Sequence, residues 1–446
     1  MGAKTMSKRG AKHAQTPASS VPNAAEWFRL DNAAKIFPAS SSEVSPEVFR
    51  VMVTLDEPVR IEALQRAVSR LAKRTPYYQV HLRRGLFWYY LERHNQDPHL
   101  HLLPDTPVSP IAIKRPQEPL YRVQVGDRRV AVDVSHILTD GYGAMRFLIS
   151  VIAEYVRQIG QSVSSSPYLL DPDAEPSSGE FEDAYKRYYK HDQPNPPALS
   201  PAYHLPGIRA WRRYRTISGY MSVSAVRRVS KEKGVSITEY LCALYLEALA
   251  AVHAKQSHTR IKPRRSVMRL EIPVNVRRFY STETMRNFSL FVSPEIDLRL
   301  GGYSFDEILR AVHHAMRTQL EEKQLARQIA RNVGGELNPV TRVVPLFLKD
   351  IYLSYLHDRF GDNLYSGVIS NLGPVDIPQD LRDRVSAVGF VLGPNPIIKK
   401  NLAVVSLGDE LTLTFGSVIE RRDLERTMFR TLVSHGVPVT VTERGT

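Results

Sequence analysis

Hydrophobic spacing changes period repeatedly along the chain, and each change marks an element. Residues 48–55 alternate and are rich in β-branched side chains, which predicts a strand. Ile61, Leu64, Val68 and Leu71 then recur at helical spacing, predicting a helix that ends before Pro76. Segments 78–82 and 86–91 flank Arg84-Gly85 and predict a hairpin. Segments 121–125 and 129–134 predict a second one, turning at Gly126-Asp127. Its second strand runs directly into His136. From Tyr142 onward, Met145, Leu148, Ile149, Ile152, Tyr155 and Val156 form one apolar helical stripe. His136 therefore falls at a strand-to-helix junction.

The second half has its own series. Ser236 precedes Glu239 by three residues, a capping pattern for a helix running to about His253. A strand is predicted over 266–276. Ile308, Val312, Met316 and Leu320 define a long amphipathic helix, and 343–356 another. Short strands follow at 366–370, 386–392, 402–406 and 411–416, with a last helix over 421–435. Between the halves, residues 161–207 are dense in Ser, Pro, Asp and Tyr, with a short helix expected within 181–189. The chain of 446 residues exceeds what one hydrophobic core usually serves. The expected organisation is a basic tail over 1–23, an N-terminal lobe over 24–165, a linker over 166–207 and a C-terminal lobe over 208–446. Both lobes mix strands and helices, an α/β (α+β) pattern that suggests two related sheets meeting at a cleft.

Composition narrows the classes. Apolar residues make up 43% and charged residues 24%, ordinary values for a globular chain. The net charge of +14 favours anionic partners, and nucleic acid, an acidic membrane surface or a phosphate-bearing cofactor would all fit. The one cysteine, Cys242, lies in a helical apolar run and reads as core. The most apolar stretch, 237–252, is interrupted by Glu239 and Glu247, so no membrane span is expected. The N-terminus lacks the apolar centre of a signal peptide, which leaves the cytoplasm as the default location. His94, His99 and His101 lack metal-ligand spacing, and the adjacent His313 and His314 cannot share one helical face, so no metal is expected. Lys255, Arg260, Lys262, Arg264, Arg265, Arg269, Arg277 and Arg278 crowd together, opposed only by Glu271. They form either a solvated basic surface or a phosphate site. No nucleic-acid-binding module accompanies them, so nucleic acid is not the expected partner.

The segment Ser135-His136-Ile137-Leu138-Thr139-Asp140-Gly141 carries the candidate chemistry. The strand fixes the backbone, and Gly141 permits a tight or left-handed entry into the helix. The imidazole would be thrust into the cleft. Its ordinary pKa near neutrality suits a general base.

This segment resembles the HHxxxDG motif of the chloramphenicol-acetyltransferase-like, coenzyme-A-dependent acyltransferase superfamily. Further similarities occur in order. Ile272-Pro273-Val274-Asn275-Val276-Arg277 resembles the Pro-x-Asn-x-Arg strand, Arg286-Asn287-Phe288 the Gly-Asn element, and Ser370-Asn371-Leu372-Gly373 the Ser-Asn-Leu-Gly strand end. Asp31-Asn32-Ala33-Ala34 and Phe37-Pro38 resemble the opening of stand-alone alcohol O-acetyltransferase-like members. Two departures stand out. Ser135 replaces the first histidine, and Thr414-Phe415-Gly416-Ser417 stands where the family has Asp-Phe-Gly-Trp-Gly.

The resemblance implies two lobes forming a V around a central tunnel, with His136 midway. It implies direct transfer of an acyl group from a coenzyme A thioester to a hydroxyl or amine of a small acceptor, with His136 as base. Asp140 would hold the loop through a bidentate pair with Arg277, supported by Ser135 and Asn275. Lys262, Arg264 and Arg265 would bind the nucleotide end of coenzyme A, a substrate rather than a resident cofactor. Ser370, Asn371 and Ser417 are oxyanion-donor candidates by position. A monomer suffices, because the two lobes complete the site. Two alternatives share the fold: a free-standing condensation enzyme that takes its acyl group from a carrier protein, and a non-catalytic binding protein.

Overall fold

The computed structural model describes residues 27–208, 214–257 and 265–444. The tail over 1–23 lies outside the described residues, as do Lys262 and Arg264. In the first half come β1 (Trp27–Arg29), β2 (Val48–Leu55), α1 (Ile61–Arg74), β3 (Val80–Arg84), β4 (Tyr89–Arg93), β5 (Leu100–Leu102), β6 (Tyr121–Val125), β7 (Arg129–Ser135) and α2 (Gly141–Gln158). The second half continues with β8 (Arg215–Ser222), α3 (Val223–Glu232), α4 (Ile237–Ser257), β9 (Val267–Asn275), β10 (Ser289–Val292) and β11 (Glu295–Asp297). Then follow α5 (Phe305–Gln319), α6 (Glu322–Leu337), α7 (Leu346–Phe360), β12 (Gly367–Pro374), β13 (Val385–Val391), β14 (Lys400–Leu407), β15 (Glu410–Ser417), α8 (Asp423–Ser434) and β16 (Thr440–Arg444).

The first lobe is a five-stranded sheet in the order β13-β2-β7-β6-β5, with α1 and α2 packed against each other and α2 against the sheet. Val51 and Val53 on β2 face Val132 and Val130 on β7, and all four are buried. The opposite face of the same strands carries a buried polar cluster. Arg50 lies across from Asp133 and grips its carboxylate with two bonds, of 2.7 and 2.9 Å. Gln124 donates to the same carboxylate at 3.0 Å. A one-residue slip of β7 would drive Asp133 into the valine core, so this cluster fixes the register of the strand that delivers His136.

The second lobe is an eight-stranded mixed sheet, β10-β9-β12-β14-β15-β8-β16, with β11 paired to β9. Its core is built around α4, whose residues 240–246 are completely buried, Cys242 among them. By length and composition α4 could cross a membrane. It is instead enclosed by α5, α8 and β9, and its apolar character is that of a core helix. Glu239 caps it reciprocally with Ser236, at 2.6 and 3.2 Å.

Two expectations about organisation need correction. Strand β13 lies within 208–446, yet it forms the edge of the first lobe's sheet, pairing Val388 with Val53 and Phe390 with Val51. The lobes are therefore not contiguous in sequence. Residues 166–207 are also packed rather than free. Leu170 enters the first core, Tyr185 a small third core with Phe288 and Leu325, and Tyr203 the second core. Arg74 clamps Glu180 of this strap with paired bonds of 2.8 and 2.5 Å, and Tyr77 adds a third at 2.6 Å.

Candidate functional site

Strand β7 ends at Ser135, and α2 begins at Gly141, so the five residues between them form a tight corner. The corner is held at its backbone. The His136 N–H donates to the Glu47 carbonyl at 2.9 Å, and the His136 carbonyl accepts from Asn287 Nδ2 at 2.9 Å. Ser135 is fully buried and its hydroxyl accepts the Ile137 N–H at 3.3 Å, a role within the turn. The imidazole is packed by Phe37, stacked at 5.3 Å between centroids, and by Phe49 at 4.5 Å. Part of the residue remains accessible, and among the described residues no hydrogen bond engages the ring. Loss of hydration pushes its pKa down to about 4, and the Asp140 charge opposes that shift. At neutral pH the ring is uncharged with a free lone pair, but it is a weaker base than the near-neutral value expected from sequence.

Asp140 turns away from the imidazole toward the second lobe. Its Oδ2 accepts from Arg277 Nη1 at 2.8 Å and from the Phe288 N–H at 2.9 Å, while Oδ1 caps α2 through the Gly143 N–H at 3.1 Å. The pair is not bidentate. Arg277 spends its remaining donors on the Thr284 carbonyl at 2.9 Å, Asn275 Oδ1 at 3.1 Å and the Arg286 carbonyl. Its guanidinium also lies 4.8 Å over the Tyr142 ring. Asn275, which accepts both the Arg277 N–H and Nη1, holds the arginine in place.

Gly141 serves a different purpose from the one expected. Its φ is not positive. A Cβ there would come within 2.6 Å of the Leu372 side chain, so the residue makes room for the second lobe. Gly143 is more tightly confined: a Cβ would sit 2.5 Å from the Met285 carbonyl and 2.2 Å from Thr139 Oγ1.

The sequence reading missed the segment 284–288 as the hub of the site. The Met285 carbonyl accepts from Tyr78 at 2.7 Å and from Thr139 at 2.5 Å. Asn287 shares its amide between the His136 carbonyl and Asp31 Oδ2, at 2.9 and 3.1 Å. Burial raises the Asp31 carboxyl to about 6, with Arg286 nearby pulling the other way. The signal available in sequence was Thr139 within the histidine motif and Asn287 in its matched element, but nothing local showed that they meet.

The oxyanion candidates separate. Ser417 exchanges bonds with the backbone of Ile419, at 2.7 and 3.3 Å, and is spent on that turn. Asn371 points to the helix side, donating to Thr238 at 2.9 Å and accepting from Gly373 at 2.8 Å. On β12, Ile369 faces the second core while Leu372 reaches Gly141, so alternation puts Ser370 on the face turned to the first lobe. Ser370 is paired in register with Ala403, which belongs to the first core. Arg265 Nη1 donates to Asn363 Oδ1 at 2.7 Å and to the Ala202 carbonyl at 3.1 Å, both neutral acceptors that leave its charge in place. Two surface depressions, of about 560 and 410 Å³, lie beside α1 and beside α6, and neither includes His136.

No protein-family model matches the chain, and no curated protein sequence does. Solved structures do. Polyketide synthase associated protein 5 from Mycobacterium tuberculosis superposes with a TM-score of 0.60 at 13% identity, over 94% of this chain and 98% of that one. The starter condensation domain of rhizomide synthetase gives 0.54 at 13% identity, over 92% and 95%. The wax ester synthase/diacylglycerol acyltransferase from Marinobacter aquaeolei VT8 gives 0.52 at 14% identity, over 92% and 100%. The chain thus has the mixed α/β fold of the condensation-domain-like, chloramphenicol-acetyltransferase-like proteins. At these identities the likeness establishes the fold alone.

Proposed function

We propose that the protein is an acyltransferase in which His136 is the general base. The acceptor hydroxyl or amine gives its proton to the neutral imidazole as its oxygen or nitrogen attacks a thioester carbonyl. The tetrahedral intermediate then expels the thiolate, which takes the proton back from the imidazolium. No covalent acyl-enzyme is needed. Asp140 and Arg277 position the corner without touching substrate. Ser370, facing the first lobe and without a side-chain partner among the described residues, is the candidate donor to the oxyanion.

The observation that carries this reading is the His136 ring: uncharged, free of hydrogen bonds to described residues, and fixed by its own backbone at 2.9 Å on either side. A purely structural histidine would be expected to have a partner for its ring. The preferred donor is an acyl-CoA and the preferred acceptor a small alcohol or amine, in the manner of alcohol acetyltransferase-like members. The likeness to a starter condensation domain favours keeping a carrier-protein thioester as the second reading.

Thiol release from a panel of acyl-CoAs with pooled alcohols and amines, run beside an acyl-loaded carrier protein, tests the proposal. Acceptor-dependent release from CoA thioesters supports it. Release from the carrier alone selects the second reading. A protein that turns over neither donor with any acceptor is not an acyltransferase of this kind.

A further inference from the structure

The first half of helix α7 turns Lys349 and Asp350 inward. Lys349 is buried, donates to the Phe87 carbonyl at 2.8 Å and stands 3.7 Å over the Trp88 ring. Asp350 accepts from Tyr89 at 2.9 Å. The first N–H of the helix, from Leu346, bonds the Leu86 carbonyl at 2.9 Å. The helix is thereby fastened to the β3–β4 hairpin by polar contacts. Leu346 is buried, but four of the helix's apolar side chains face outward: Phe347 and Ile351 are 57% and 70% exposed, and Leu348 and Tyr352 stand beside them. Leu86 at the hairpin tip, 72% exposed, and Val343, just before the helix, extend the same surface. A helix that buries a lysine while presenting phenylalanine and isoleucine to water is oriented for a second apolar phase.

The charge around this surface decides which phase. Arg83 and Arg84 flank the hairpin tip and Arg342 precedes Val343, all exposed. Arg83 faces Glu92 at 3.1 Å and Arg84 faces Asp350 at 3.8 Å, while Asp350 also accepts from Tyr89 and Glu92 also faces His81. Strand β1 pairs with β4 of the same hairpin, and the chain as a whole carries a net charge of +14. The sequence of residues 1–26 holds few large apolar side chains, mainly Met1, Met6 and Val21. A second copy would bring another +14 against the first.

We propose that α7 and the Leu86–Phe87 tip form a docking surface for an anionic lipid bilayer, the helix lying in the interface plane with its phenylalanine and isoleucine among the acyl chains. This rests on the helix and the hairpin, not on the activity proposed above.

The test is co-sedimentation of the full chain with phosphatidylcholine vesicles and with vesicles half phosphatidylserine, for wild type and for the double substitution Phe347→Ser/Ile351→Ser. Both replaced side chains are exposed, and circular dichroism checks the fold. Wild type is expected to bind the anionic vesicles, less well as salt rises. The double substitution should lower partitioning by about tenfold or more, since insertion scales with buried apolar area. Binding that survives the double substitution would place lipid contact elsewhere, and absence of binding by wild type would remove the proposal. A wild-type dimer that the double substitution converts to monomer would show that the face meets a second copy instead.

Discussion

Asp140 Oδ2 and Arg277 Nη1 lie 2.8 Å apart, and this one contact joins the corner after His136 to the end of β9 in the other lobe. Both side chains are nearly buried, at 10% and 8% exposure. The same carboxylate caps α2 and receives the Phe288 N–H. The group beside the candidate base is therefore an architectural one.

Removing either partner leaves the other's charge buried with hydrogen bonds to neutral groups only. Arg277→Ala is expected to destabilise the protein by about 3 kcal/mol, the scale of a broken buried pair. Arg277→Lys should recover only part of that loss, because an ammonium cannot serve Thr284, Asn275, Arg286 and Asp140 together. Urea unfolding of the variants measures both. Equal stability of Lys and Ala variants would mean that charge contributes nothing at this position.

The two glycines of the corner should respond differently. Gly143→Ala pushes a methyl into the Met285 carbonyl, which Tyr78 and Thr139 hold in place, and should cost about 3 kcal/mol. Gly141→Ala meets only the end of the Leu372 side chain, which can rotate, and should cost about 1 kcal/mol or less. Thermal melts of the two single variants compare them directly.

Stability should depend on pH through two opposed groups. His136 is depressed to about 4 in the folded protein. Its contribution is present above its unfolded pKa of 6.5 and is lost as pH falls toward 4. Asp31 is raised to about 6 from 3.8. Its contribution is present below 3.8 and is lost as pH rises through 6. Between pH 4 and 6 the two slopes oppose each other. Asp31→Asn removes one of them, so stability of that variant should climb more steeply with pH across this window, by up to about 3 kcal/mol. Denaturation midpoints at several pH values would show it. An unchanged slope would mean that Asp31 titrates normally.

Asn287→Ala withdraws one amide from both the His136 carbonyl and Asp31, and the loss should be about 2 kcal/mol. If Asn287 also positions the base, kcat should fall in this variant while KM is held. A loss confined to stability would limit Asn287 to support.

Much of this was legible in the sequence, for local reasons. The span of β2 follows from alternation, α1 from its leucine and valine spacing, and the β7-to-α2 corner from the switch of period around His136. The partnership of Asp140 with Arg277 came only from resemblance, since residues 137 apart share no local signal. The exchange of β13 into the first sheet was invisible for the same reason: nothing in a short alternating segment says which lobe it will join. Helices α3 and α6 were not predicted, although Val223, Val226 and Val229 in one and Leu325, Ile329 and Val333 in the other recur at helical spacing. The bond from Arg265 to Asn363 was invisible in the sequence, since the two residues lie 98 apart.

The most direct test of the central claim is the rate of acceptor-dependent thiol release by His136→Ala against wild type, at matched folding. His136 packs against Phe37 and Phe49 without a hydrogen bond to a described residue on its ring, so the variant should fold with its backbone contacts intact. A fall in kcat of about a hundredfold or more is expected for a lost general base. A wild-type rate in the folded variant would contradict the assignment and leave the chemistry to another group.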